Sequence, residues 1–450
     1  MQMPEKRTPF WLRIAPSFVS KRLDGRVAIQ AILHNTGWLA ADRILRLVVG
    51  LVVGAWVVRY LGPDLYGELS FVIAVSTFFQ VVSMLGLDGV AIRDIARDRD
   101  ASPAILGTVF RLRFASGFLC WLLAIALMAV FRSGDRQTLL LTAIVCGSFV
   151  FQAGETIDIW FQSQTNSKMT VLAKGISYLL SNLTKVGLIL YHAPLAYFAA
   201  AMLVESALTA CALLYSYRKY PAPFFWKYDR QWALKLLKES WPYLLANFAV
   251  MVYMRVDQIM LREMLGVREL SIFSAAMPIS TMWYFLPVML SQSVGPSIAK
   301  KKQVDQVGYA SAINSLYTIM WWVMLPLCVI VAIVSVPLVQ FLFGPSFSKS
   351  ASVLAIHVFS CVPVALGSVQ DLWNLNEKKN SLSLKKALAG VMTNILLNLF
   401  LIPRYGATGA AMATVASQSV YGIFSNFFLD RTALRAQLLS VFGVRDILKQ

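Results

Sequence analysis

The sequence predicts an all-α integral membrane protein of about twelve transmembrane helices, arranged as two parallel six-helix bundles related by a pseudo-twofold axis along the membrane normal. Three observations carry this. Of 450 residues, 58% are hydrophobic and only 14% charged, with a mean hydropathy of +0.62; a soluble chain has about 25% charged residues. The apolar residues are gathered into runs of roughly 20, the length that spans a bilayer at ~1.5 Å rise per residue. Motifs also recur in one order at nearly one offset along the chain.

The runs cover residues 35–58, 69–91, 109–131, 138–161, 171–190, 195–216, 237–262, 271–298, 311–335, 351–373, 384–402 and 408–430. Residues 1–34 mix Phe10, Trp11, Ile14, Phe18 and Val19 with Arg13, Lys21, Arg22 and Arg26. With no long apolar stretch or small-residue cleavage site, they read as a basic amphipathic arm rather than a signal peptide. Residues 35–216 then form an N-terminal lobe and 237–430 a C-terminal lobe. A basic linker at 217–236, broken by Pro221 and Pro223, joins the lobes, and 431–450 is a tail.

The net charge is +18. Its placement speaks for membrane topology and against nucleic acid. With the N-terminus inside, 30 of the 41 Lys and Arg residues fall on inside segments and seven on outside joints. That asymmetry puts both termini in the cytoplasm. The five cysteines lie inside apolar runs without a Cys-x-x-Cys, and the three histidines are far apart. Neither a disulfide framework nor a metal site is expected.

The repeat rests on four matches. Leu61-Gly62 and Leu265-Gly266 are 204 apart, Asp158-Ile-Trp160 and Asp371-Leu-Trp373 are 213 apart, Asn182 and Asn394 are 212 apart, and Ala200-Ala-Met202 and Ala410-Ala-Met412 are 210 apart. Six spans per copy leave the copies parallel, an arrangement found in alternating-access transporters.

Charged residues within the runs are the functional candidates, because a charge near mid-bilayer costs about 2.5–3.5 kcal/mol on insertion scales. In the first span Arg43, Arg46, Gly50 and Gly54 share one helical face. Asp42 is one turn from Arg46 and can pair with it. Arg255-Val-Asp257 interrupts the seventh span, and its two charges point to different sides. Lys185 lies in the fifth span, with Glu205 the nearest acidic candidate. Snorkelling to headgroups is the competing reading for the basic residues. Glu155, Glu205, Asp257 and Asp42 are candidate coupling or cavity carboxylates. Glu155 is the deeper of the fourth span's two acids, and Asp158 and Asp371 sit near inner ends. Asn247, Asn394 and Asn398 interrupt apolar runs and are expected on a wet path. Trp283, Tyr284, Pro287 and Ser291 stripe the eighth span, where stacking on sugar competes with ordinary packing.

No phosphate-binding Gly-x-x-x-x-Gly-Lys-Ser/Thr and no nucleophile–base cluster is present. Joints are too short for a folded extramembrane domain. A transporter is expected, not an enzyme.

Arg59-Tyr-Leu-Gly-Pro-x-x-Tyr-Gly67, Arg255-x-Asp257 with Phe273-Ser-Ala-Ala276, and Ile402-Pro-Arg-Tyr-Gly-Ala-Thr-Gly-Ala-Ala411 resemble the signatures of the polysaccharide-transporter family. These are the Wzx-type O-antigen flippases, within the superfamily that also holds multidrug extruders and lipid II flippases. The resemblance runs from about residue 36 to 430. It implies a V-shaped pair of bundles around a cationic cavity in a bacterial inner membrane. It also implies translocation of an undecaprenyl-pyrophosphate-linked oligosaccharide, an O-antigen or exopolysaccharide unit, to the periplasmic leaflet. No cofactor is implied beyond a coupling proton or sodium ion. A glycan polymerase and a chain-length regulator of lipopolysaccharide synthesis are the partners implied. Arg43, Arg46 and Arg255, with Lys185, would bind the pyrophosphate, since guanidinium groups hold phosphates by charge-assisted bidentate contacts. The alternative is a multidrug or small-molecule antiporter of the same superfamily, whose site should be acidic and aromatic. A membrane glycosyltransferase, polymerase or ligase would need larger outer loops.

Overall fold

The computed structural model describes residues 27–441 apart from 221, 224 and 378. The expected arm therefore lies, up to residue 26, outside the described residues, as do residues 442–450 of the tail. Among the described residues every regular element is helical.

The first helix, α1 (Val27–Met84), runs through two apolar stretches. It is broken at Gly62, whose φ of 68° and ψ of 176° no helix contains, and Pro63 follows immediately. After α2 (Asp88–Arg97) come α3 (Ser102–Phe131) and α4 (Arg136–Gln152). A single 3₁₀ turn at Ala153–Glu155 joins α4 to α5 (Thr156–Ser163). Next are α6 (Ser167–Leu190), α7 (Leu195–Arg218) and α8 (Arg230–Leu265). The remainder comprises α9 (Val267–Thr281), α10 (Phe285–Val304), α11 (Gln306–Ile333), α12 (Ser335–Phe343), α13 (Ser350–His357), α14 (Cys361–Asn376), α15 (Asn380–Ser419), α16 (Asn426–Leu429) and α17 (Arg431–Val441). Helix α15 is broken at Gly406, φ 60°.

Among the described residues nine helices are long and apolar enough to cross a membrane. The twelve stretches expected from sequence map onto them with a physical reason for each difference. The first and second merge through Gly62, and the eleventh and twelfth merge through Gly406. The fifth corresponds to α6, which carries Lys174, Asn182 and Lys185 and is too polar to count by composition.

Two compact units divide the chain. The first takes the residues up to Val53 together with Phe79–Ala246, and the second takes Gly54–Phe78 together with Asn247 onward. Helices α1 and α8 thus each contribute to both units.

The first unit has a core of Leu87, Val90, Ile95, Ile105, Val109, Ile157, Trp160, Phe161 and Leu213. The second is held at one end by the paired Leu-Gly turns of the repeat. Gly266 has φ 92° and ψ −178°, the conformation of Gly62. A Cβ on Gly67 would lie 2.2 Å from the Val267 carbonyl oxygen, so only glycine lets these strands of backbone touch. Around that contact Tyr66 donates to the Ser274 carbonyl (3.4 Å), and Arg262 pairs with Glu68 (3.1 Å) while lying over the Phe71 ring (5.5 Å).

Candidate functional site

In the first unit, Arg46 and Asp42 form the one-turn pair that their spacing implies, Nε to Oδ2 2.9 Å. The Arg46 guanidinium also stacks on the Tyr178 ring at 4.7 Å, and the Tyr178 hydroxyl donates to the Arg46 carbonyl (3.1 Å). Gly50, one turn further, lies where its missing side chain admits that hydroxyl, since a Cβ would sit 2.7 Å from it. The small residue thus makes room for a tyrosine of α6. Arg43 is exposed and makes no hydrogen bond or ion pair among the described residues. The two arginines of one face therefore differ: Arg46 is partnered and Arg43 is free.

Lys185 reaches Glu205 at 3.4 Å, and Glu205 accepts a 2.7 Å hydrogen bond from Ser181. The acid expected to be nearest to Lys185 is its partner. Glu155, expected as the deep protonatable carboxylate, is also spent. Lys174 of α6 places its ammonium 2.6 Å from Glu155 and 2.8 Å from Asp158, all three largely shielded from solvent. Sequence reasoning misses Lys174, which stands only four residues into the run 171–190 and so reads as a boundary cation, whereas α6 begins at Ser167 and holds it two turns in. Arg113 was missed for the same reason. It is 1% exposed and pairs with Asp88 at 2.8 Å.

In the second unit, Arg255 is half-buried and donates to the Gln258 side chain (3.2 Å). It makes no ion pair with Asp257, as the two-residue spacing requires. Asp257 is buried and accepts from the Gln258 backbone N–H (2.8 Å) and the Thr414 hydroxyl (3.3 Å). No ammonium or guanidinium within salt-bridge distance neutralises it among the described residues. A chain of polar groups continues from Thr414. Its carbonyl accepts from Ser417 (2.9 Å), Ser417 accepts from Asn394 (3.3 Å), and Asn394 Oδ1 accepts from Asn398 (3.0 Å). Tyr253 also reaches Ser417 (3.4 Å).

Asn394 and Asn398, expected on a wet path, are instead fully buried. The i,i+4 spacing put them on one face correctly but could not say whether that face is wet. The Asn398 Oδ1 has no donor. Asp257 thus lies at one end of a buried series of hydroxyl and amide groups, and the orphaned Asn398 oxygen lies at the other. Asn247 is exposed at the start of this unit's share of α8. On the striped segment, Tyr284 bonds Ser360 (2.7 Å), Ser291 bonds Ser368 (3.2 Å), and the Trp283 indole N–H has no acceptor.

Comparison with known proteins adds the following. The family described as "Polysaccharide biosynthesis protein" matches residues 32–302. A "Probable flippase AglR" of Haloferax volcanii is 22% identical over 410 residues, covering 89% of this chain and 84% of that protein. The solved structure "Lipid II flippase MurJ, inward closed conformation" superposes with a TM-score of 0.68 at 17% identity, covering 91% of each chain. An inward-facing multidrug resistance MATE family transporter of the MOP superfamily superposes at 0.70 and 15% identity, covering 89% of this chain and 94% of that one. The structural likenesses concern the fold.

Proposed function

Because the chain belongs to the polysaccharide biosynthesis protein family, we propose that it flips an undecaprenyl-pyrophosphate-linked oligosaccharide, an O-antigen or exopolysaccharide repeat unit, from the cytoplasmic to the periplasmic leaflet of a bacterial inner membrane by ion-coupled alternating access. The apolar helices make the chain a multi-pass membrane protein, and its family and flippase relative support a transporter of the flippase type rather than an enzyme. A glycan polymerase and a chain-length regulator are the proposed partners downstream, and both termini are proposed to be cytoplasmic.

One observation supports the anionic headgroup most directly. Within the apolar stretches, Lys185 and Arg46 are neutralised by carboxylates, whereas Arg43 in the first unit and Arg255 in the second have no ion-pair partner among the described residues. An unpaired guanidinium at membrane depth needs an anion, and a pyrophosphate supplies oxygens in bidentate geometry. For the coupling ion, Asp257 with the Thr414 hydroxyl is the proposed seat, taking a proton or sodium.

Alanine replacement of Arg43, Arg46 and Arg255, each singly, is read as surface glycan at matched protein level. Loss of glycan for Arg43→Ala or Arg255→Ala, with a milder effect for the self-neutralised Arg46, fits the reading. Undiminished glycan in all three removes the pyrophosphate role. Unchanged glycan on deletion together with altered drug susceptibility would turn the reading to an antiporter.

A further inference from the structure

The joint between α7 and α8 is a docked structure rather than a slack tether. Tyr217 donates to the Pro223 carbonyl (2.6 Å) and accepts from the Trp226 indole (3.0 Å). Trp226 packs edge-on against Phe110 of α3 at 5.7 Å. The Lys227 N–H donates to the Pro103 carbonyl (3.1 Å), and the Asp229 N–H donates to the Thr108 hydroxyl (3.0 Å). The fit is close, because a Cβ on Gly107 would lie 2.4 Å from the Lys227 carbonyl oxygen.

This docking turns cations outward. Arg111, Arg218, Lys219, Lys227 and Arg230 are all exposed, and none has an ion pair among the described residues. Asp229, the one acid between residues 217 and 230, is occupied as a helix cap, its Oδ1 accepting from the N–H groups of Gln231 (2.7 Å) and Trp232 (3.1 Å). Nearby Lys235 and Arg93 differ, for both are neutralised by Asp94, and Arg93 also by Glu239.

Interleaved with the free cations are exposed aromatics: Phe225 (84%), Tyr215 (61%) and Tyr228 (45%). Arg111 lies over Tyr228 at 5.5 Å and Lys219 over Tyr215 at 4.3 Å. A phenylalanine this exposed among unpaired cations suits neither water nor hydrocarbon. It suits the headgroup layer, where rings sink to the acyl boundary and cations meet phosphate.

We propose that this docked joint, residues 215–230 apart from 221 and 224, with Arg111 of α3, is a seat for anionic phospholipid headgroups. The five free cations hold the phosphates, and Phe225 and Tyr228 anchor the segment at the acyl boundary.

The test uses the full chain reconstituted in vesicles of equal phosphatidylglycerol and phosphatidylcholine, then gently extracted, with the ratio of the two lipids retained per protein as readout. The unaltered chain should enrich phosphatidylglycerol. The variant R111Q/R218Q/K219Q/K227Q/R230Q should lose that enrichment by at least about tenfold, given the contribution of each basic residue near an anionic surface. A control that removes two exposed cations elsewhere, K300Q/K301Q, should keep it, and so should the charge-conserving R111K/K227R. Should the fivefold variant fail to fold, extraction of the unaltered chain at 1 M salt decides, because screening to about 3 Å should abolish the enrichment. Equal retention of both lipids by the unaltered chain, enrichment that survives in the fivefold variant or at high salt, or equal loss in either control overturns the proposal.

Discussion

Replacing Lys174 with methionine tests how the first unit manages charge. The ammonium is shared by Glu155 at 2.6 Å and Asp158 at 2.8 Å, with side-chain exposures of 22%, 29% and 14% for the lysine and the two acids. Removing it leaves two carboxylates close together without a counter-charge. Unit charges about 4 Å apart repel by about 4 kcal/mol at an effective dielectric of 20. Breaking a fully buried pair costs about 3–5 kcal/mol, and an exposed one less than about 1 kcal/mol. The partial exposure here places the expected loss near 2 kcal/mol. For a unit of this size that is a fall of roughly 4–8 °C in melting temperature, measured by tryptophan fluorescence on detergent-purified protein. The compensated variant Lys174→Met/Glu155→Gln/Asp158→Asn removes the repulsion with the attraction and should recover most of the fall. The reasoning fails if Lys174→Met melts within about 1 °C of the unaltered chain, or if the compensated variant melts as low as the single one. A further outcome bears on mechanism: if Glu155→Gln alone abolished ion dependence of transport without moving the melting temperature, the carboxylate would be a coupling group rather than a structural one.

Other positions make narrower predictions. Gly67→Ala drives a Cβ to 2.2 Å from the Val267 carbonyl; expression of folded protein should drop sharply in fluorescence-detected size exclusion, while Gly54→Ala, with nothing within 4 Å, should not. Gly406→Ala combines a φ of +60° with a Cβ 2.5 Å from Glu269 Oε2, whose carboxylate caps the Ala407 N–H at 2.8 Å; it should cost about 1–3 kcal/mol, read by the same melt. Asp257→Asn should leave the fold intact and abolish the sodium or proton dependence of transport in vesicles; retained dependence removes the cluster from the coupling role. Outside the membrane spans, burial pushes the Glu377 carboxyl up, but hydrogen bonds from Lys302 and Tyr309 prevail and hold it below the usual carboxylate range. A depressed carboxyl contributes stability that is complete above the unfolded value and lost as pH falls through the folded one. Glu377→Gln should therefore flatten the melting-temperature profile below about pH 4 and leave its shape at neutral pH unchanged.

What the sequence revealed and what it hid follow one physical rule, the range over which residues interact. Asp42–Arg46 was legible because residues four apart share a helix face, and the separation of Arg255 from Asp257 was legible because residues two apart do not. The Leu-Gly turns were legible through the repeat offset, and Gly62 and Gly266 adopt one backbone conformation. Lys174 and Arg113 were hidden because their partners lie on other helices and because a cation near a span end reads as part of a joint. The burial of Asn394 and Asn398 was hidden because periodicity assigns a face, and only packing decides whether that face meets water.

The two copies share a scaffold but not its chemistry, and that contrast shows where each half has specialised. Lys174 and Lys386 stand 212 residues apart, and Asp158 and Asp371 stand 213 apart. In the first copy the lysine is neutralised by two carboxylates. In the second, Ser368 occupies the position 213 residues after Glu155. Asp371 accepts instead from Tyr421 (2.6 Å) and Ser383 (2.8 Å). Lys386, 1% exposed, is left to the amide oxygen of Gln370 and the face of Tyr421. That amide oxygen also accepts from Asn426 and Gln437. A repeat conserved only for packing would keep both ends of each ion pair, because an unpartnered buried charge is costly. With serine at the position of one acid and neutral amides and phenols around the lysine, the second copy has no closed ion triad at this position. The same copy carries the unneutralised Asp257. Asp257, Asp371 and Lys386 of the second copy are thus held by hydrogen bonds without an ion pair among the described residues, whereas Asp430 pairs with Lys379, and charge change during a transport cycle is cheapest where no fixed counter-ion has to be abandoned.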